Sequence, residues 1–191
     1  MQEQVVTRLR AILGSEGLLT DPAALLAYES DGLTLKRQRP ELVLLPRDTS
    51  ETAQCMRVLH EYGIPLVPRG AGTGLSGGAT PVPNGVLVGT ARMREILELN
   101  VEDRFARVQA GVVNVDLTRC CDGDGLFYAP DPSSQMACTI GGNVAENSGG
   151  PHCFKYGCTT RHVLGLVIVT ATGEVLHLEE PEVDPDRSEE H

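Results

Sequence analysis

Apolar side chains near the start of the chain recur at the spacing of an amphipathic helix. Residues 5–13 place Val5, Leu9 and Leu13 on one helical face, which predicts a first helix. A second helix is predicted at Asp21-Pro22, because Asp is a good N-cap and Pro suits the first helical position. We therefore expect an N-terminal helical segment over residues 1–39.

Two short apolar runs flank a third predicted helix. Leu42–Leu45 and Ile64–Pro68 are typical of buried strands. Between them, Ser50 is predicted to cap a helix that continues to about Tyr62 and ends at Gly63. A strand, a helix and a strand in this order suggest a right-handed βαβ unit.

The rest of the chain predicts further strands and short helices. In chain order they are a strand at 86–88, a hairpin of 97–101 with 104–109, a helix capped by Asn114 that ends at Cys120 or Cys121, a helix at 140–146, and a hairpin of 164–170 with 174–178. Residues 179–191 contain two Pro, seven acidic residues and few apolar side chains. This composition predicts a disordered acidic tail.

Composition and charge exclude several classes of function. The 191 residues are 41% hydrophobic and 22% charged, which is typical of one compact globular unit. A net charge of −10 argues against a basic face that binds nucleic acid. No apolar run approaches the ~20 residues of a membrane helix, and the N-terminus lacks the pattern of a signal peptide. We therefore expect a cytoplasmic protein without a transmembrane segment.

The six cysteines are interpreted as buried or half-buried thiols, because no C-x-x-C pair is present and no secretory signal indicates an oxidising compartment. Cys153 and Cys158 lie near His152 and His162 in sequence, which raises the alternative of a metal site. Zinc sites usually show tighter paired spacing. We therefore expect no metal.

A glycine-rich loop directly follows the strand predicted at Ile64–Pro68. Five glycines occupy nine positions, and this density lets backbone N–H groups converge on an anion without interference from Cβ atoms. The loop predicts a phosphate or pyrophosphate cradle, and a surface loop without a ligand is the alternative. The candidate binding residues are Arg69 as a nearby cation, Thr73 and Ser76 as hydroxyl donors, and Gly70, Ala71, Gly72, Gly74, Gly77 and Gly78.

Two other glycine motifs are alternatives for this loop. Gly72, Gly74 and Gly77 satisfy the G-x-G-x-x-G pattern of nicotinamide-binding folds. That pattern should open a helix, whereas Pro81 and Pro83 follow within six residues. The ATP-binding P-loop requires Lys where the sequence has Gly78. Both readings are therefore disfavoured.

A second cluster combines polar donors with paired glycines around the helix predicted at 140–146. The N-terminus of that helix, at Gly141-Gly142, is predicted to hold a second phosphate or the edge of a flat heterocycle. Two such loops some sixty residues apart suggest an extended ligand such as a dinucleotide. The candidate residues are Pro130, Asp131, Ser134, Cys138, Thr139, Gly141, Gly142, Asn143, Ala145, Asn147, Ser148 and Gly149.

Three segments of the chain together resemble a known cofactor domain. They are the loop at 68–78, P-D-P-S-S at 130–134 and C-T-I-G-G-N-V-A-E-N-S-G-G-P at 138–151. The resemblance is to the FAD-binding domain of the vanillyl-alcohol oxidase and p-cresol methylhydroxylase superfamily. Within it, the chain is similar to glycolate oxidase flavoprotein subunits and D-lactate dehydrogenases. The resemblance covers about residues 40–178. It implies an α+β fold of two subdomains, about 40–100 and about 101–178, with the second incomplete and FAD between them.

The same resemblance implies the chemistry. The first loop would hold the pyrophosphate of FAD, and the second cluster would line the ribityl chain, pyrophosphate and flavin ring. Some relatives attach the flavin through a His in the first loop. This chain has Thr73 there and no His between 61 and 151, which implies non-covalent FAD.

The implied function is that of an FAD-linked oxidoreductase, a flavoprotein that oxidises a 2-hydroxy acid such as glycolate or D-lactate to the 2-oxo acid. An iron–sulfur or second flavin-domain subunit is the implied electron-accepting partner. Relatives continue beyond this chain with more strands and a substrate cap, so we expect a C-terminally truncated protein whose catalytic residues are not assignable. The alternative is a truncated flavin-binding module that does not turn over alone.

Overall fold

The computed structural model describes residues 1–179 and begins with a four-stranded sheet and three helices. These are α1 (Glu3–Leu13), β1 (Leu18–Leu19), α2 (Pro22–Leu25), β2 (Val43–Leu44), α3 (Thr49–Glu61), β3 (Leu66–Arg69) and β4 (Val86–Gly89). The sheet order is β1-β2-β4-β3, in which β1 is antiparallel to β2 and the other neighbours are parallel. Apart from Glu179, the predicted acidic tail lies outside the described residues.

The central strand β4 separates the two strands that α3 connects. Leu87 pairs with Val43 of β2 on one side and with Val67 of β3 on the other. The predicted strand–helix–strand order is therefore present, but β2 and β3 are not neighbours. Every residue of β4 is buried, as expected for a parallel strand covered on both faces.

Both faces of this sheet are packed with apolar side chains. Val5 and Leu9 of α1 and Leu59 of α3 lie on one face together with Leu44 and Val86. The opposite face buries a smaller cluster of Leu25, Val43, Leu45, Val67 and Leu87. The helical segment predicted at 1–39 thus shares its core with the strands that follow it.

Two helix starts differ from the sequence prediction. Asp48, not Ser50, caps α3, and its carboxylate accepts a hydrogen bond of 2.8 Å from the backbone N–H of Glu51. Val113 precedes the helix predicted to be capped by Asn114, whose side chain instead turns into the protein. The cap of α2 at Asp21 is confirmed by its bond with the N–H of Ala24. A cap depends on the φ and ψ of one residue, which composition alone does not determine.

The second half of the chain consists of two hairpins and three short helices. They are β5 (Ile96–Asn100), β6 (Phe105–Val108), α4 (Asn114–Cys121), α5 (Ile140–Glu146), α6 (Cys153–Tyr156), β7 (Gly165–Val169) and β8 (Val175–Glu179). β5 pairs with β6 and β7 pairs with β8, both antiparallel. The architecture is α+β, as the resemblance implies, while the subdomain bounds stay a prediction.

Glu51 is expected to stabilise the start of α3 in a pH-dependent way. Its carboxylate accepts hydrogen bonds from the side chain and backbone N–H of Arg47, and these lower its pKa below the ordinary 4.5 although burial opposes the change. Glu51→Gln should therefore reduce the free energy of unfolding by about 1 kcal/mol at neutral pH. Because the pKa of Glu51 is lowered on folding, this contribution to stability is present above pH 4.5. It is lost as the pH falls through the lowered pKa of the folded state.

Chemical denaturation at a series of pH values measures this effect. Glu61→Gln is the matched control, because Glu61 pairs with Arg8 at the exposed surface of the same helix. A Glu51→Gln difference that stays constant into the acid range would contradict the assignment.

Candidate functional site

The first glycine loop exposes a run of unpaired backbone donors. Among the described residues, no N–H group from Gly70 to Gly78 donates a hydrogen bond to a protein acceptor. Pairing resumes at Ala79, whose N–H donates to Asp31, and at Thr80, whose N–H donates to the carbonyl of Gly77. Gly70, Gly72–Gly74 and Gly77 are half-buried. Because half-buried N–H groups normally find partners, these donors are suited to an anionic ligand.

Both ends of this loop are held by the N-terminal segment. The Arg69 guanidinium donates to the carbonyl of Ser30 at 2.8 Å and to that of Ala79 at 3.3 Å, and it lies 5.6 Å from the centre of the Tyr28 ring. The buried Asp31 carboxylate accepts from the N–H of Ala79 at 3.3 Å. We call Tyr28, Ser30, Asp31, Arg69 and Ala79 the clasp. It closes the loop at both ends.

The clasp places the positive charge of Arg69 against the backbone of the first loop. A Cβ atom at Gly72 would collide with the Arg69 guanidinium, so the cation lies against the loop backbone. Burial lowers the pKa of Arg69, and the nearby Asp31 and Tyr28 oppose this change. The predicted cation is present, but its hydrogen bonds go to protein carbonyls, and its direct contact with a ligand stays a prediction.

The sequence interpretation missed the residues that hold Arg69. Tyr28, Ser30 and Asp31 lie about forty residues before the loop, in a segment expected to be only helical. Gly32 belongs with them, because a Cβ atom there would lie 2.7 Å from the carbonyl oxygen of Gly74. Only the polar turn-forming composition at 29–32 hinted at an irregular structure.

Helix α5 runs beside the first loop and joins the two glycine clusters. A Cβ atom at Gly70 would lie 2.5 Å from the Thr139 hydroxyl, at the N-terminal end of the helix. At the other end, the Ser76 hydroxyl donates to the Glu146 carboxylate at 3.2 Å, and Gly78 lies close to the same group. The structure thus brings together predicted residues of both clusters. It also adds Glu146, which was not among the predicted site residues.

The N-terminus of α5 does not have the free donors that were predicted for a second phosphate. The N–H groups of its first four residues, 140–143, all donate to protein acceptors. These acceptors are the carbonyls of Val112 and Ala110 and the hydroxyl and carbonyl of Thr139. Gly141 instead permits close packing, since a Cβ atom there would lie 2.7 Å from that of Ala110. These N–H groups are therefore paired within the protein, and the predicted contact of Gly141-Gly142 with a ligand stays a prediction.

Asn143 is the most unusual polar side chain of the second cluster. It is 1% exposed, and within the described residues neither its carbonyl oxygen nor its amide nitrogen has a hydrogen-bond partner. The equally buried Asn114 donates to the carbonyl of Pro130 at 2.9 Å. A buried amide group without a hydrogen-bond partner costs about 1–3 kcal/mol of stability. An unpaired amide beside the two clusters fits a ligand with its own donors and acceptors.

The other predicted residues of the second cluster are divided between supporting and accessible positions. Pro130 and Cys138 are buried, and their carbonyls accept hydrogen bonds from Asn114. Asp131 contacts the segment after α5, where its carboxylate accepts from the N–H of His152 at 2.9 Å. Accessible positions are Ala145, Asn147 and Gly149, whereas Ser134 and Ser148 are half-buried. Within the described residues, no hydrogen bond joins Pro130, Asp131 or Ser134 to the first loop, and their contact with a ligand stays a prediction.

Two other features, a metal site and a membrane-spanning helix, are absent from the part of the chain that the structure describes. No three His, Cys, Asp or Glu side chains in residues 1–179 are grouped so that they could hold a metal ion. No helix within the same range is long and apolar enough to cross a membrane.

Comparison with known proteins relates this geometry to a family. The model of the FAD binding domain family matches residues 40–179. Glycolate oxidase subunit GlcD of Escherichia coli (strain K12) is 50% identical over 165 residues, which are 86% of this chain and 33% of that protein. D-lactate dehydrogenase of Anaerostipes hadrus is 39% identical over 142 residues, 74% of this chain and 30% of that protein. The chain thus spans about a third of the length of the curated relatives it matches.

A solved structure supports the fold independently. The structure of p-cresol methylhydroxylase with substrate bound superposes with a TM-score of 0.76 at 23% identity, over 91% of this chain and 34% of that one. At this identity the likeness establishes the fold alone.

Proposed function

Because the chain belongs to the FAD binding domain family, we propose that it is the FAD-binding part of an oxidoreductase that oxidises a 2-hydroxy acid to the 2-oxo acid. FAD is the cofactor of this family. Glycolate and D-lactate are the proposed substrates, and the names of the relatives, glycolate oxidase subunit and D-lactate dehydrogenase, support this class. The proposed activity is that of a whole protein like these relatives, and this chain matches about a third of the length of the glycolate oxidase subunit.

The observation that carries the proposal is the run of unpaired N–H groups from Gly70 to Gly78. In the proposed complex these donors bind the pyrophosphate, and the charge of Arg69 beneath them attracts the same anion. The unpaired amide of Asn143 offers one acceptor and two donors to the uncharged part of the cofactor. When bound, the flavin supplies the redox chemistry, and the protein supplies binding and orientation.

Non-covalent binding of FAD is part of the proposal. No His occurs between residues 61 and 151, so the first loop has no imidazole that could be linked to the flavin. We expect denaturation with acid or heat to release all flavin into the supernatant after centrifugation. Flavin that stays with the precipitated chain would contradict this part of the proposal.

The electron acceptor is proposed to be a partner subunit that carries an iron–sulfur centre or a second flavin domain. The word subunit in the name of the glycolate oxidase relative supports an assembly of several chains. A cytoplasmic location is also proposed, and the six unpaired cysteines of the described residues fit a reducing compartment.

The visible absorption spectrum of the purified chain, loaded with FAD and freed of excess, tests the function. Retained flavin that is bleached by glycolate or D-lactate under anaerobic conditions supports the full proposal. Retained flavin that neither acid reduces would favour the alternative, a flavin-binding module that does not turn over alone. A folded chain that retains no flavin would contradict the cofactor assignment.

Asn143→Leu is expected to separate stability from cofactor binding. Leu has the same branched shape as Asn but no unpaired polar atoms, so the free energy of unfolding without FAD should stay unchanged or rise by about 1 kcal/mol. Affinity for FAD should fall about tenfold or more, because the variant loses hydrogen bonds between neutral groups that contribute about 1.4 kcal/mol or more to binding. Chemical denaturation and fluorescence titration with FAD measure the two effects.

Asn114→Leu is the matched comparison for Asn143→Leu, because Asn114 is as deeply buried but hydrogen-bonded to Pro130. We expect Asn114→Leu to destabilise the chain without FAD. If Asn143→Leu were equally destabilising and bound FAD like the parent, the amide would have a protein partner and no role toward the ligand.

A further inference from the structure

The chain reverses direction after α6 and brings two cysteines together. Cys153 begins this short helix, and Gly157 ends it with a φ of +81°, a value that glycine adopts readily. Cys158 follows at once. A Cβ atom built on Gly149 would lie 2.6 Å from the Cys153 Sγ and 3.1 Å from the Cys158 Sγ. Both sulfur atoms therefore lie close to the same point. The distance between them is no larger than the sum of these two distances.

The surroundings give the two thiols different roles. The backbone N–H of Gly150 donates to the Cys153 Sγ at 3.1 Å. The hydrogen bond with Cys153, followed by burial, raises the pKa of Cys158, so Cys158 keeps its proton. Cys153 therefore differs from Cys158 in that its sulfur accepts a backbone hydrogen bond. Both side chains are half-exposed and accessible to small oxidants.

We propose that Cys153 and Cys158 form a peroxide-sensitive dithiol that is converted reversibly to an intramolecular disulfide. The Cys153 thiolate attacks one oxygen of hydrogen peroxide, the O–O bond breaks, and a sulfenic acid forms with release of one water after protonation. The Cys158 thiol then attacks the sulfenic sulfur, and the S–S bond forms with loss of a second water. Two thiols are oxidised by two electrons and one peroxide is reduced to two waters. Two equivalents of an external thiol reduce the disulfide back to the two cysteine thiols and are themselves joined in a disulfide.

The other cysteines are less suited to this reaction. Cys55, Cys121 and Cys138 are buried, and burial raises the pKa of Cys55 to about 12. The Cys121 thiol donates to the carbonyls of Leu117 and Thr118 within its own helix. Cys120 is exposed, which makes it the control for simple accessibility.

Trypsin offers a direct assay, because Lys155 lies between the two cysteines. Cleavage after Arg119, Lys155 and Arg161 separates peptide 120–155 from the short peptide 156–161. The full chain is treated with a small excess of hydrogen peroxide, alkylated, digested and analysed by mass spectrometry with and without reductant. We expect the two peptides to be joined after oxidation, with the mass of two hydrogens lost, and to separate on reduction.

Single substitutions define the partners. Cys153→Ser should abolish the linkage, Cys158→Ser should leave a dimedone-reactive sulfenic acid on Cys153, and Cys120→Ser should oxidise like the parent. The proposal is overturned if no linked peptide forms, if the linkage survives Cys153→Ser, or if oxidation yields only disulfide-linked dimers on non-reducing gels.

Discussion

Gly74→Val is expected to abolish retention of FAD while leaving the chain as stable as the parent. A Cβ atom at Gly74 would lie no closer than 3.8 Å to another protein group, the Glu146 carboxylate, so the protein itself has room for the side chain. Gly74 also lacks a positive φ, and the substitution adds no backbone strain of that kind. The branched side chain would instead occupy the space above the unpaired N–H groups, where the proposed pyrophosphate approaches the backbone.

Gly72→Val makes a useful contrast with Gly74→Val. Gly72 has a φ of +72°, and its new side chain would collide with the Arg69 guanidinium. We expect this variant to lose both stability and FAD, whereas Gly74→Val loses FAD alone. Thermal denaturation without FAD and the flavin absorbance of the gel-filtered sample distinguish the two results.

Gly123→Val is the control for the change from glycine to valine, since Gly123 has open space around it and lies outside the predicted site. It should retain FAD like the parent. The cradle assignment would be wrong if Gly74→Val retained as much FAD as Gly123→Val.

Asp31→Ala is expected to give the largest loss of stability among substitutions near the site, together with weaker FAD binding. Asp31 is buried and accepts hydrogen bonds from the N–H groups of Leu33 and Ala79. Its negative charge also favours the charged form of the buried Arg69. Removing Asp31 takes a negative charge away from the buried Arg69 and leaves two half-buried N–H groups without an acceptor, which together cost about 3 kcal/mol. Since the clasp holds both ends of the first loop, affinity for FAD should fall about tenfold or more.

Asp31→Asn separates charge from hydrogen bonding. Asn can still accept from the N–H of Ala79, so we expect an intermediate loss of stability and FAD affinity closer to the parent. Glu29→Gln is the control, because Glu29 lies two residues away and pairs with Arg37. Chemical denaturation and FAD titration of the three variants measure both quantities. Equal FAD affinity in Asp31→Ala and Glu29→Gln would show that the clasp does not position the loop.

Elements set by local signals were predicted well from the sequence. Helix α5 was expected at 140–146 and spans Ile140–Glu146, because Thr139 supplies a side-chain cap and Asn147 ends the helix in the left-handed conformation. The hairpin of β7 and β8 follows from the turn at Thr172-Gly173 in the same way. In contrast, β1 was not predicted, because a strand of two residues is defined only by its pairing with β2.

The sequence by itself determined the family and the character of the first loop. A run with five glycines in nine positions indicates a loop whose backbone a ligand can approach closely, and the N–H groups from Gly70 to Gly78 have no protein acceptor among the described residues. At Gly141 the absence of a Cβ atom also permits close packing against Ala110.

Only the tertiary structure decided which groups surround that loop. Arg69 is bound to Ser30 across 39 positions of the chain, and Ala79 is bound to Asp31 across 48. Likewise, the N–H groups that begin α5 are taken by carbonyls at 110 and 112, while the amide of Asn143 is left without a partner in the described residues. Such assignments depend on which distant segments the fold brings within about 3 Å, and no local pattern of residues encodes that distance.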